Sequence, residues 1–257
     1  MKLIGALSCL CLAAYGTQAH AFLFDDGVGM MYQPRIGGQL VGSNFTGANF
    51  NGQTMRNAQF LDCNLTNASL QGIEAPRAHF ADTRLTRTNM SRSNLEEASF
   101  SDLSLNRVQA IRIDAPAMSM IEVQIDRSNF AHSSLVAANL VDLMVANSNF
   151  ERVNLIGSHL TDVEFDNSDL SEIDFSAANL NDVEFKDLRM DKASFVGAVM
   201  SDVSFRSVSL SEASFLEARL FDIHFHDVDG LTQASFDGAC GREVSGLPDG
   251  ITLPACQ

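Results

Sequence analysis

From Leu40 to Phe225 every fifth residue is large and apolar. The register covers 38 positions without an insertion, and 35 of them are Leu, Ile, Val, Met or Phe; the exceptions are Ala75, Ala110 and Ala115. An amphipathic helix would place apolar residues at mixed steps of three and four, and a strand at steps of two. A step of five is neither, and it marks a repeat. Two residues before each large site sits a smaller one, as in Ala58-Gln59-Phe60-Leu61-Asp62 and Ala178-Asn179-Leu180-Asn181-Asp182, and the other three places are mostly polar.

Such a unit sends two side chains inward and turns the backbone once every five residues. Four units close into a square coil of twenty residues, and successive coils pair side by side at the strand spacing of roughly 4.8 Å. Backbone bonds then run between coils, so each coil needs a neighbour. The exceptions fit a filled interior. Where the large site shrinks to Ala75, Ala110 or Ala115, the preceding small site grows to Ile73, Val108 or Ile113, which keeps interior volume roughly constant. Pro76 and Pro116 follow two of these alanines and restrict the turn there.

The units from Gly38 to Asp227, among them Ala48-Asn49-Phe50, Ala138-Asn139-Leu140 and Ala178-Asn179-Leu180, resemble the pentapeptide-repeat family with its A(D/N)LXX motif. The resemblance implies an all-β fold, a right-handed quadrilateral β-helix, here of about nine to ten coils, with Phe or Leu stacked along its axis. Several members of that family are acidic cytoplasmic proteins that mimic DNA and bind a topoisomerase, and most have no assigned activity.

The ends lack the period. Residues 1–21 read as a secretory signal peptide, with Lys2, an apolar run from Leu3 to Tyr15 and a cleavage site after Ala19-His20-Ala21. An exported, periplasmic or secreted protein follows from that reading. Residues 22–37 form an N-terminal cap, residues 38–229 the β-helix, and residues 230–257 a C-terminal cap that covers the exposed strand edge. Ala234-Ser235-Phe236 is a unit displaced by one residue. In an oxidising compartment Cys240 and Cys256 pair across a turn-rich loop, whereas Cys63 occupies a small inward site.

Charge adds an asymmetry. The chain has 32 acids against 17 bases, a formal charge of -15, which argues against direct nucleic-acid binding by phosphate neutralisation. Residues 22–157 carry 13 acids and 10 bases, while residues 158–257 carry 19 and 6. Residues twenty apart stack, and one column reads Asp62, Asp82, Asp102, Glu122, Asp142, Asp162, Asp182, Asp202 and Asp222. Two readings of this column stand side by side. Each carboxylate caps its own turn, or the column is a negative stripe offered to a basic partner.

No nucleophile elbow, dinucleotide loop, Walker lysine or zincin motif occurs. A narrow, filled helix leaves little room for a catalytic pocket, so an enzyme and a cofactor are not expected. The nearest thing to a metal-ligand set is His224 and His226 with Asp222 or Asp227, where two solvated histidines are the plainer account. The reading is an exported, non-enzymatic structural or interaction scaffold with an acidic face and no membrane span. Its partner is a protein with a basic surface, or a second copy meeting it end to end. The alternative is a DNA mimic that occupies a basic nucleic-acid-binding surface.

Overall fold

The computed structural model describes residues 38–256; the signal peptide and N-terminal cap expected over residues 1–37 lie outside the described residues. Eleven parallel strands form one continuous sheet in chain order: β1 (Gln39–Val41), β2 (Gln59–Leu61), β3 (His79–Ala81), β4 (Ser99–Asn106), β5 (Ser119–Asp126), β6 (Asn139–Ala146), β7 (His159–Asp166), β8 (Asn179–Arg189), β9 (Val199–Ser209), β10 (Arg219–Asp229) and β11 (Cys240–Ser245). Partners up to β10 are twenty residues apart, as in Phe60↔Phe80 and Phe185↔Phe205. Isolated parallel bridges with the same step, such as Asn129↔Asn149 and Asp174↔Ser194, complete the other sides. The result is the right-handed square β-helix that the period of five implies. Among the described residues no helix is long and apolar enough to cross a membrane.

Each coil has four sides, typified by Leu160 on the first, Phe165 on the second, Leu170 on the third and Phe175 on the fourth. Two residues after each large side chain the chain turns a corner with a left-handed residue, such as Asp162 (φ 54), Asn167 (φ 45), Glu172 (φ 56) and Ala177 (φ 54). This conformation costs a non-glycine residue something like 1 kcal/mol or more, so inter-coil bonding and burial must over-determine it.

The interior holds both inward sites. Ile73 with Ala75, Val108 with Ala110 and Ile113 with Ala115 are all buried, so the volume exchange takes place inside one core. In the C-terminal half two phenylalanine columns run along the axis. Phe165, Phe185, Phe205 and Phe225 stack on the second side at 4.9–5.5 Å. On the fourth, Phe175, Phe195, Phe215 and Phe236 stack at 4.7–5.2 Å. Across the axis the columns meet edge to face, as between Phe185 and Phe195 at 6.0 Å and 80°, a favoured aromatic geometry.

The buried hydroxyls at several small sites are satisfied internally, whereas the buried Oε1 of Gln53 at another has no partner among the described residues. Thr83, Ser93 and Ser133 are buried and donate to the carbonyls of Phe60, Leu70 and Ala110 at 2.8–2.9 Å. Ser128, Ser148 and Ser168 form a ladder in which the backbone N–H of Val108 donates to Ser128 Oγ, that of Ser128 to Ser148 Oγ, and that of Ser148 to Ser168 Oγ, at 2.9–3.0 Å. A buried hydroxyl with its partners in place avoids the desolvation penalty. The thiol of Cys63 takes the same position and donates to Leu40 O at 3.3 Å.

The period slips by one residue after β10, yet the coil continues. Gly230 (φ 80) lies so close to Ser211 that an added Cβ would stand 2.5 Å from its Cα, which leaves glycine as the residue that fits. A short 3-10 turn, Gln233–Phe236, absorbs the extra residue and returns Phe236 to its stack on Phe215. Strand β11 then pairs with β10 at a step of 21, Arg219↔Cys240 to His224↔Ser245. Cys240 and Cys256 are bonded, with Cα atoms 4.8 Å apart. The tail folds back so that Gly241 N–H donates to Pro254 O at 2.8 Å, and Leu247, Ile251 and Leu253 pack against the core. The C-terminal segment therefore both extends the helix and covers its edge.

Replacing Phe185 by Ala removes a ring that touches Phe165, Phe175, Phe195 and Phe205. Denaturant titration is expected to show a loss of about 3–5 kcal/mol, whereas Asn179→Ser, on the exposed surface, changes stability by less than about 0.5 kcal/mol.

Candidate interaction surface

The corner between the first and second sides carries the carboxylate column. Asp62, Asp82, Asp102, Glu122, Asp142, Asp162, Asp182 and Asp202 are exposed and Asp222 half-buried, and all nine are left-handed with φ of 50–57°. The inter-coil step puts neighbouring carboxylates about 4.8 Å apart along the axis. Such stacking shows in the acidity of two of them. The neighbouring Asp102 holds the Glu122 carboxyl above the usual carboxylate range, by repulsion and then by a shared hydrogen bond. Asp182 is raised as well, first by a hydrogen bond with Asp162, then by desolvation and repulsion.

Turn bracing falls to a different position. The side-chain oxygen one residue before the large site accepts from the backbone N–H two residues on, as in Asn149 to Glu151 at 2.8 Å, Asn154 to Ile156 at 3.0 Å, Asp169 to Ser171 at 3.0 Å and Asp174 to Ser176 at 2.9 Å. This is the Asx-turn bond. Among the described residues no hydrogen bond of that kind involves a carboxylate of the column; Asp202 accepts from the Ser201 hydroxyl at 3.3 Å. Nor does the corner conformation demand an acid, since Arg107, Ala137 and Lys192 adopt it at other corners with φ of 56–61°.

The remaining corners differ. Arg77 bonds Glu97 and Arg152 bonds Glu172, each at 2.7 Å, and in each pair the arginine's hydrogen bond is the main cause holding the glutamate below its usual range. His224 and His226 do not converge on one ligand set. His224 Nε2 lies 3.2 Å from Asp222 and its Nδ1 2.7 Å from Ser245 Oγ, while His226 stands 4.0 Å from Asp227. Among the described residues no group of three or more His, Cys, Asp or Glu could hold a metal ion. A shallow open depression at the C-terminal end, lined by Gly241, Val244, Leu247, Ile251 and Leu253, offers no paired acid and base. The step of twenty also gives a third-corner column, Arg92, Arg112, His132, Arg152, Glu172, Lys192 and Glu212, and stepping in the same way along the second corner shows Arg87, Arg107 and Arg127 stacked there.

Groups with raised folded-state values take up protons more readily in the folded than in the unfolded chain. At Glu122 and Asp182, stability therefore rises as pH falls from neutral through those values toward the ordinary carboxylate range. The lowered groups, Glu97 and Glu172, lose their contribution only below that range. A Glu122→Gln, Asp182→Asn variant is expected to melt above the parent at neutral pH, with the gap narrowing toward pH about 4, as read by thermal melts across pH.

The comparisons agree with this geometry. The family models "Pentapeptide repeat region" and "Pentapeptide repeats (8 copies)" match residues 158–236 and residues 43–78, 76–109 and 133–176, respectively. HetL, a pentapeptide repeat protein involved in heterocyst differentiation regulation from the cyanobacterium Nostoc sp. strain PCC 7120, is 20% identical over 78% of this chain and 87% of its own, with a TM-score of 0.69. A trypsin-treated form of QnrB1, a plasmid-mediated fluoroquinolone resistance protein, is 15% identical over 81% of this chain and 91% of its own; its TM-score of 0.39 adds nothing to the argument. No curated protein sequence matches. With more than half its length matched and its coils, corners and stacked core in place, the chain belongs to the pentapeptide-repeat family.

Proposed function

We propose that this protein is an exported, non-enzymatic interaction scaffold whose working surface is the carboxylate column from Asp62 to Asp222. The observation that carries the reading is the separation of roles at the corners. Asn and Asp one residue before the large site brace the turns, while the column carries its charge outward and its neighbours raise the proton affinity of Glu122 and Asp182. Stacked like charges oppose folding, weakly where water screens them. A basic protein surface could engage several at once, and its affinity would fall as salt rises. Export rests on residues 1–21, with their basic start, apolar run and Ala-His-Ala site, and it accords with the Cys240–Cys256 bond, which an oxidising compartment sustains.

A variant with Asp142, Asp162, Asp182 and Asp202 changed to Asn tests the surface. Asn keeps the side-chain size and tolerates the left-handed corner. The expected result is a folded protein, more stable at low salt, that no longer retains the proteins captured by the parent from the exported fraction at low ionic strength. A melting point lowered alike in low and high salt would assign the column to the turns instead. Intact mass of the exported protein is expected to show loss of residues 1–21 and of two hydrogens at Cys240 and Cys256. An uncut chain recovered inside the cell would favour the second reading, a DNA mimic acting on a basic nucleic-acid-binding protein.

A further inference from the structure

The third side of the prism, between the second and third corners, has opposite charge at its two ends. Its rungs at 87–92, 107–112 and 127–132 present Arg87, Arg92, Arg107, Arg112 and Arg127 with His132, and no acid. Its rungs at 167–172, 187–192 and 207–212, with the final stretch 227–229, present Asp169, Glu172, Asp187, Asp191, Glu212, Asp227 and Asp229 against Arg189 and Lys192. The formal charges are +5 and -5, and the rung between them, 147–152, is neutral. Part of this charge is paired within the chain, Glu172 with Arg152, Asp169 and Asp191 with Arg189, and Asp227 with His226, and the rest is not. Among the described residues, Arg87, Arg92, Arg107 and Arg112, and Asp187, Glu212 and Asp229, enter none of the ion pairs within 4.0 Å. Arg127 reaches its neighbour Asp126 at 3.2 Å, and Arg189 reaches Asp169 at 3.4 Å.

We propose that the third side is the contact face of an antiparallel two-fold dimer of this chain. A two-fold axis lying in the contact plane and across the helix brings the arginine half of each copy onto the acidic half of the other, like corner to like corner. With the axis between rungs 147–152 and 167–172, Arg87 faces Asp227 of the second copy, Arg112 faces Glu212 and Arg127 faces Asp187, while the Arg152–Glu172 pair of each copy lies against that of the other. His132 against Lys192 is the one like-charge pairing in that register. The same pattern disfavours a long external polyanion, because a chain following the side would leave the arginines and run onto the acids.

The surface suits such a contact. Between the corners many outward side chains are short, as at Asn89, Ser91, Asn129, Ala131 and Asn149, with Gln109, Ile111, Glu151 and Arg189 the longer ones, so two flat sheets can approach closely over most of the side. Seven inter-coil steps and a width of about five residues give a patch of about 34 by 17 Å. The total buried area is then about 1,100 Å², the lower end for a specific interface, which points to a micromolar, salt-sensitive dimer. The carboxylate column lies on a corner outside this side, so both copies keep it free. This inference goes beyond the scaffold reading and does not require it.

Sedimentation equilibrium on the intact protein tests the proposal with two charge-reversed variants, Arg87→Glu with Arg112→Glu, and Glu212→Arg with Asp227→Arg. Each places at a corner a residue type already found in that conformation elsewhere in the chain. The parent is expected to dimerise at low salt and to weaken at least about tenfold near 0.5 M salt. Each variant alone is expected to be monomeric, and an equimolar mixture to form a heterodimer, since reversed arginines then meet reversed acids. A milder Arg112→Gln change is expected to weaken the parent dimer by about tenfold. A parent that stays monomeric at low salt overturns the proposal. So do variants that dimerise as well as the parent, which would put the contact at the ends. A mixture that fails to associate also overturns it and would assign the arginines to a separate anionic partner.

Discussion

Backbone hydrogen bonds between coils are the constraint on which the rest of this molecule depends. Each coil lends its donors and acceptors to the coils above and below, so every coil must return to the same place after the same number of residues. That requirement fixes twenty residues per coil, aligns side chains into columns, and forces a left-handed residue at each corner. An insertion is tolerated only where something absorbs it. At Gly230 a close backbone approach and a short 3-10 turn do so, and Phe236 regains its place on Phe215.

Columns make interior and exterior behave differently. Inside, a column amplifies attraction: phenylalanine rings stack at the inter-coil distance, and buried hydroxyls pass hydrogen bonds along the axis. Outside, it amplifies charge. In the carboxylate column the neighbours raise the proton affinity of Glu122 and Asp182, whereas mixed columns settle into Arg–Glu pairs. The fold sets spacing and leaves sign to the sequence. A prism of this kind can therefore carry an acidic corner, a side with two poles and a covered end without altering its core.

Much of this architecture is legible in the amino-acid sequence. The period from Leu40 to Phe225 implies the square coil, and the exchange of volume between Ile73 and Ala75 implies that both sites face inward; both are buried. The acid column follows from the step of twenty, and the Cys240–Cys256 pair from the turn-rich loop that the two cysteines flank. Sequence does not separate the two accounts of the acid column, because the period says which residues stack but not which of them brace the turn. Nor does the period show how the chain crosses Gly230, where it breaks.

What the sequence determined by itself was periodicity: which side chains point inward, which align in columns, and how charge is distributed between the halves. These follow from counting, because each coil repeats the last. What only the tertiary structure decided was which groups meet. It bonds Asn149 to the backbone N–H of Glu151 and makes the stacked Asp162 and Asp182 share a hydrogen bond. It separates His226 from the Asp222–His224–Ser245 chain, and folds Leu247, Ile251 and Leu253 over the last coil. The physical reason is range. A period fixes position to within a coil, whereas hydrogen bonds and ion pairs act over a few ångströms and depend on corner angles and side-chain directions that a repeat pattern does not carry.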